Sequence, residues 1–379
     1  MAGRIHSEVG MAPNVTSQTL LLATQVEPKK NSESGYNEQS SQKAVSSRDE
    51  YEWKISWRNV LAFMYLHGAF LYSVFLLTTG HVKLLTFLWI VLTAACGALG
   101  VTAGAHRLWA HKAYKAKWPL RLILAIFQTM AFQNHIYEWV RDHRVHHKFT
   151  DTDADPHNIK RGFFFAHMGW LMVRKHPDVK SKGKSVDMTD LENDFIVTLQ
   201  KRTYLVAMPL ICFLMPTYVP YYFWNENFWT AWYCTIFRYT LSLHGTWLVN
   251  SAAHLWGYRP YEKSISSSEN ATVSIITFGE GWHNYHHVFP WDYKAAELGN
   301  YSVNMTTGFI DFFAKIGWAY NLRSVSHEMI QKRAQRTGDG SLRSPDDPNH
   351  HMNNVWGWGD TDITQEDINC MTVNHEKVL

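Results

Sequence analysis

Four apolar stretches, each about as long as a bilayer core is thick, limit what this chain can fold into. They cover residues 59–80, 84–104, 203–224 and 228–249. About 22 residues at a rise of 1.5 Å give a helix of roughly 33 Å, enough to cross the hydrocarbon. Within lipid, a helix satisfies its backbone polar groups segment by segment. Each stretch is therefore expected to be a transmembrane helix, with the third interrupted by Pro209, Pro216 and Pro220. Only His81–Lys83 and Asn225–Asn227 separate the members of each pair, so the helices form two hairpins. The mean hydropathy of −0.26 conceals this, because long polar segments offset the apolar ones.

Composition excludes several alternatives. Of 379 residues, 15% are aromatic and only 18% charged, with a net charge of +3. That balance gives no basis for binding nucleic acid through bulk charge. Cys96, Cys212, Cys234 and Cys370 lie far apart, so neither a disulfide framework nor a thiolate zinc module is expected.

Residues 1–50 are rich in Ser, Gln, Asn, Lys and Glu and read as a disordered tail. Leu20–Ala23 is too short an apolar run for a signal peptide, which leaves membrane entry to the first span. The body is expected over 51–340, with cap segments 105–202 and 250–340, and a flexible tail over 341–379. Residues 120–137 are apolar but carry Arg121, Gln128, Gln133 and Asn134; an interfacial or partly inserted helix is expected there. The segment between the hairpins is rich in Lys and Arg, whereas the two turns hold only Lys83. The positive-inside rule then places both termini and the cap in the cytosol. The glycosylation sequons at Asn14, Asn270, Asn300 and Asn304 are read as chance matches.

Histidine is the chemical outlier, with 21 residues. Three clusters stand beside the ends of spans or on cap segments: His106 and His111; His143, His146 and His147; His283, His286 and His287. Positions i, i+3 and i+4 share a helix face, so HxxHH is expected to aim three imidazoles at one point. The isolated histidines, among them His67, His167 and His244, read as surface or satisfied core residues. Eight imidazoles exceed the four ligands of structural zinc and suit two centres with open positions. Imidazole-rich sites beside a bilayer suit iron handling oxygen.

The strings GAHRLWAH (104–111), WVRDHRVHHKFTDTDADPHN (139–158), RGFFFAHMGWLMVRKHPDV (161–179), WLVNSAAHLWGYRPYEK (247–263) and GEGWHNYHHVFPWDY (279–293) resemble the membrane acyl-CoA desaturases of stearoyl-CoA desaturase type, and most of all the insect members. The resemblance runs from about residue 57 to 340 and implies an all-α integral membrane protein: four transmembrane helices in two hairpins, with a cytosolic helical cap holding a di-iron site. It adds His254 as a ninth ligand. By resemblance, one iron is held by His106, His111, His147 and His287, the other by His143, His146, His254, His283 and His286, with Asn250 holding a metal-bound water. It also implies that Arg141, Arg174 and Lys175 lie near the phosphates of coenzyme A. Asn59, Asn134, Asp142 and Trp247 match other contacts in that region, and Gln133, Trp139 and Thr246 match the bend of an acyl tunnel.

The implied activity is insertion of a cis double bond, at Δ9, into a saturated acyl-CoA of about 14 to 18 carbons. The implied co-substrate is O2, and electrons come from cytochrome b5 and its NADH-dependent reductase in the endoplasmic reticulum membrane. Δ11 or another regiochemistry, or a di-iron membrane hydroxylase, are the alternatives. One departure stands out: Ala94 replaces a bulky Tyr of vertebrate relatives, so Ala94 and Ala98 are expected to leave room at the closed end of the tunnel.

Overall fold

The structure, a computed structural model, describes residues 52–297, 301–342 and 373–374. The expected N-terminal tail, most of the expected C-terminal tail, and Asn14 and Asn300 lie outside the described residues. Residues 373–374 fall within the stretch read as a tail; they form a strand that pairs with Leu322–Arg323.

Among the described residues, three helices are long and apolar enough to cross a membrane: α1 (Trp57–Thr78), α2 (Leu84–Ala110) and, later in the chain, Phe195–Phe223. Helix α2 runs six residues past its expected end at 104, because its last eleven residues, Gly100–Ala110, continue as a π-helix. The apolar stretch expected as one helix over 120–137 is split between α3 (Trp118–Ala131) and α4 (Ile136–Phe149). Phe132 and Asn134 adopt positive φ between them. Gln128 and Gln200 satisfy this break: Gln128 Nε2 donates to Asn134 O (2.7 Å), and Gln200 Oε1 accepts from Ile136 N (3.0 Å).

Helix α5 (Phe195–Phe223) starts at Asp194, whose carboxylate caps Ile196 N at 2.9 Å. Its prolines do not interrupt it as expected. Pro209 opens a π-helical segment, Pro209–Leu214, and the helix continues beyond it. Pro216 has no N–H to give Cys212 O. Arg238 Nη2 donates to that carbonyl instead, at 2.7 Å, and Arg238 Nη1 to Met130 O near the end of α3, at 3.3 Å.

Arg238 belongs to α6 (Phe228–Leu255), a 28-residue helix that packs against α1, α2 and α5. It extends past the expected end at 249 and so carries His254 as a helical residue. Arg238, His244 and Asn250 make it less apolar than the other three, so the expected fourth span has the length but not the hydropathy of its neighbours.

Beyond α6 the cap contains α7 (Ala271–Ile276), α8 (His283–Val288), α9 (Met305–Lys315) and α10 (His327–Thr337). Asn270 caps α7 through Val273 N, and the fully buried Asn304 caps α9 through Thr307 N. Both sequon side chains are thus committed to capping.

Candidate metal centre

The π-helical end of α2 explains the five-residue spacing of its histidines. In a π-helix, residue i lies over i+5, and His111 N donates to His106 O at 3.1 Å. The two rings stand 4.9 Å apart.

Helices α4 and α8 each divide their three histidines between two centres. His106, His111, His143, His147 and His286 bring ring nitrogens within 4.8 Å of one another, and so do His146, His254, His283 and His287. This corrects one expectation. HxxHH does not aim three imidazoles at one point: i and i+4 go to one centre, and i+3, on the flank of that face, goes to the other. The grouping by proximity also differs from the partition implied by resemblance. His143 and His286 join His106, His111 and His147, whereas His287 joins His146, His254 and His283. The centres abut where His147 stacks on His287, with ring centroids 4.2 Å apart.

The donor set fits cations. Glu280 Oε2 stands 2.6 Å from His106 Nδ1, and Asp155 Oδ1 2.9 Å from His146 Nδ1. Those carboxylates accept from Nδ1–H, which holds the ring proton there and leaves each Nε2 as a lone pair. His254 Nδ1 meets Ser266 Oγ at 2.8 Å. Yet the Nε2 atoms converge on one another: His106 on His286 at 2.9 Å, His146 on His287 at 3.2 Å, His283 on His254 at 3.0 Å. His286 Nε2 faces His147 Nε2 as well, at 3.0 Å, and one ring proton cannot pair both contacts, whereas a metal ion at their focus removes the conflict. Burial, helped by neighbouring imidazoles, holds His111, His143, His147, His283, His286 and His287 well below the usual imidazole range, in the neutral form that binds metal. Burial alone would raise the Glu280 carboxyl, but Arg107 and His106 outweigh it and keep it ionised.

Beside the first centre lies a cavity of about 550 Å³. Seven of the expected substrate residues line it, Asn59, Gln133, Asn134, Trp139, Asp142, Thr246 and Trp247, together with Asn250 and His143. Gln133 Nε2 donates to Thr246 Oγ1 at 2.8 Å across its wall. Phe213, Trp232, Ile236 and Tyr239 add apolar lining. Arg141 and Lys175 line a neighbouring polar cavity of about 680 Å³, which shares Asp142. Lys175 Nζ bonds Asp142 Oδ2, and Arg141 Nη2 meets Asp142 Oδ1 at 3.0 Å. Arg174 lines neither cavity; its N–H donates to Lys54 O. Ala94 and Ala98 line neither, so the expected room at the tunnel end is not part of these cavities.

Asp155, Glu280 and His157 went unassigned in the sequence reading. His157 lines the apolar cavity, its ring lies tilted 4.5 Å from that of His146, and its Nδ1 is 3.4 Å from Asp155. Burial pushes it down to about 3. All three sit inside the motif strings, but only their geometry separates them from solvated neighbours.

A profile of the fatty acid desaturase family matches residues 82–298, more than half of the chain. The chain belongs to the fatty acid desaturase family. Such enzymes are oxidoreductases, which suits two imidazole centres beside an apolar cavity. Among relatives, an acyl-CoA Delta-9 desaturase of Acheta domesticus is 55% identical over 97% of this chain and 99% of its own length. An acyl-CoA Delta-12 desaturase of Tribolium castaneum is 50% identical over 86% and 94%. The stearoyl-CoA desaturase of Homo sapiens is 54% identical over 76% and 80%.

Proposed function

We propose that this desaturase inserts a cis double bond into a saturated fatty acyl-CoA, at Δ9, in the endoplasmic reticulum membrane. The observation that carries the reading is the continuity of the site: a polar cavity, a largely apolar one sharing Asp142, and an imidazole centre sharing His143 with the latter. A volume of about 550 Å³ falls within the roughly 300–1,000 Å³ of small-molecule sites. Δ9 is favoured by the Acheta domesticus relative, which matches nearly the whole chain.

An unactivated methylene offers no polar handle. Its position must therefore be set by distance from an anchored head along a shaped, dry channel. Arg141, Arg174 and Lys175 supply the cationic anchor for the phosphates of coenzyme A. Asn59, Asn134, Asp142 and Trp247 hold the next part of the head, and Gln133, Thr246 and Trp139 fix the bend of the chain. Trp139 stacks on His143, with centroids 4.9 Å apart, which brings the wall of the bend to the edge of the first centre.

His106, His111, His143, His147 and His286 would hold one iron, and His146, His254, His283 and His287 the other, with Asn250 placing a water at the second. Bound iron would supply activation of O2 and removal of one hydrogen from each of two adjacent carbons. Two electrons come from the substrate and two from outside through cytochrome b5, with two protons from solvent, so O2 leaves as two waters. The same reading makes α6 the fourth span and places the histidines and both termini on the cytosolic face.

Expression in a desaturase-deficient yeast, with mass-spectrometric location of double bonds, tests the reading. The expected product is a Δ9 cis monoene of 14 to 18 carbons. A different bond position would overturn the regiochemistry alone, while hydroxylated acyl chains would overturn desaturation.

A further inference from the structure

Three histidines outside both centres form a continuous hydrogen-bonded chain between α1, α6 and the cap. His67 Nδ1 lies 2.6 Å from Phe63 O, and His67 Nε2 lies 3.2 Å from His244 Nε2. His244 Nδ1 lies 3.0 Å from His167 Nε2, and His167 Nδ1 lies 2.9 Å from Ser251 Oγ. Phe63 O only accepts, so His67 carries its proton on Nδ1 and accepts at Nε2. For three neutral rings Ser251 then turns its one hydroxyl hydrogen to His167 rather than to Trp247 O, which also lies within reach at 2.8 Å, and His167 donates to His244, His244 to His67, and His67 to Phe63 O. Every ring nitrogen is satisfied without a net charge. Apolar side chains would cover the same surfaces with fewer constraints on their angle, so three interlocked rings specify geometry.

What the chain holds is the α6 wall of the cavity at Trp247, next to Thr246 of the bend. The rings of His244 and His167 pack edge-on to Trp247, with centroids at 5.1 and 5.7 Å. Phe63 packs against the same indole at 5.4 Å. Trp247, Thr246 and Asn250 line the cavity from α6, and His254, one turn beyond Ser251, belongs to the second centre. A rotation of α6 would move the bend and His254 together relative to α1.

We propose that His67, His244 and His167 are positioning residues that fix the rotation of α6 against α1 and the cap, and so choose which methylene faces the metal centres. The proposal rests on the desaturase reading above. A misplacement of about 1 Å is enough to change a rate by about 10²-fold, so a small rotation alters the contest between neighbouring carbons.

The test uses the full chain in yeast microsomes, with wild type alongside and iron measured on purified protein. In His244→Leu, iron content should match wild type while the ratio of main to minor double-bond isomers falls by about tenfold or more. His244→Gln should restore the ratio, because its amide can donate to His67 and accept from His167. His67→Leu cuts the chain at its far end and should shift isomers in the same direction; it decides the matter if His244→Leu does not accumulate. Unchanged isomer ratios and chain-length profiles in the Leu variants, at whatever total activity, would overturn the proposal. A wild-type chain that forms no double bond overturns the desaturase reading, and the strut with it.

Discussion

Asp155 and Glu280 each hold a histidine of one centre by its Nδ1, at 2.9 and 2.6 Å, but the two carboxylates stand in different surroundings. Asp155 serves His146 and approaches His157. Glu280 also accepts from the fully buried Arg107, at 2.7 Å. Asp155→Asn should therefore lower metal affinity by about 10- to 100-fold, the usual cost of losing an outer carboxylate, and leave the fold intact. Glu280→Gln should lower affinity similarly and also weaken the pairing of a buried guanidinium, worth up to about 3–5 kcal/mol of stability. Chelator competition on anaerobically purified protein, with thermal unfolding alongside, separates the two; equal melting behaviour of the variants would refute the distinction. Eight of the histidines were legible in the sequence because clustered imidazoles are rare, whereas the isolated His254 came only from the resemblance. A lone aspartate or glutamate is common on any polar segment, and only its distance from a ring shows its role.

At the scale of elements, the places of the apolar helices followed from composition, but their ends and internal register did not. Nothing in GVTAGAHRLWA marks a π-helix, because the sequence does not fix which carbonyl an N–H will find. The π register depends on packing by α3. Helix α3 crosses α2 so closely that a Cβ on Gly100 would stand 2.2 Å from Gln128 N. Gly100→Ala must push the helices apart at the start of the π segment. It should destabilise the protein by about 1–3 kcal/mol or more and reduce iron content by displacing His106 and His111. Gly68→Ala is the control, since nothing lies within 4 Å of its added methyl. Equal melting and iron content in the two variants would show that the close crossing does not set the register. The HxxHH misreading has a related origin: i+3 and i+4 share a broad face, but two foci close together divide it.

Across the whole molecule, the turns of the hairpins meet at one end and the histidines gather at the other. Glu226, in the second turn, accepts from Lys83 N at 3.0 Å and Thr86 Oγ1 at 2.6 Å, so it caps α2 from the opposite hairpin. Lys83 Nζ returns bonds to Trp224 O and Asn225 O at 2.9 and 2.6 Å. A carboxylate at the start of a helix also favours its dipole. The two turns thus form one tied unit, and the proposed topology, argued from the scarcity of positive charge there, has it face the lumen. The sequence showed two short turns but not that they are tied, because a single Glu between two Asn reads as an ordinary polar loop. The structure also selects where to probe topology. An acceptor inserted at Asn225–Asn227 would disturb the Glu226 clamp, whereas Gly80 has open space around it and His81 is exposed. A glycosylation acceptor with flanking spacers, inserted between Gly80 and His81, should therefore be modified in microsomes while activity persists. Asn270 and Asn304, cytosolic in the proposed topology and engaged in caps, should stay bare. A glycosidase-sensitive mass shift that survives Asn270→Gln but vanishes when the insert is removed is the expected outcome. A shift abolished by Asn270→Gln would put the histidine centres in the lumen, away from a cytosolic electron donor, and would overturn the two-hairpin topology.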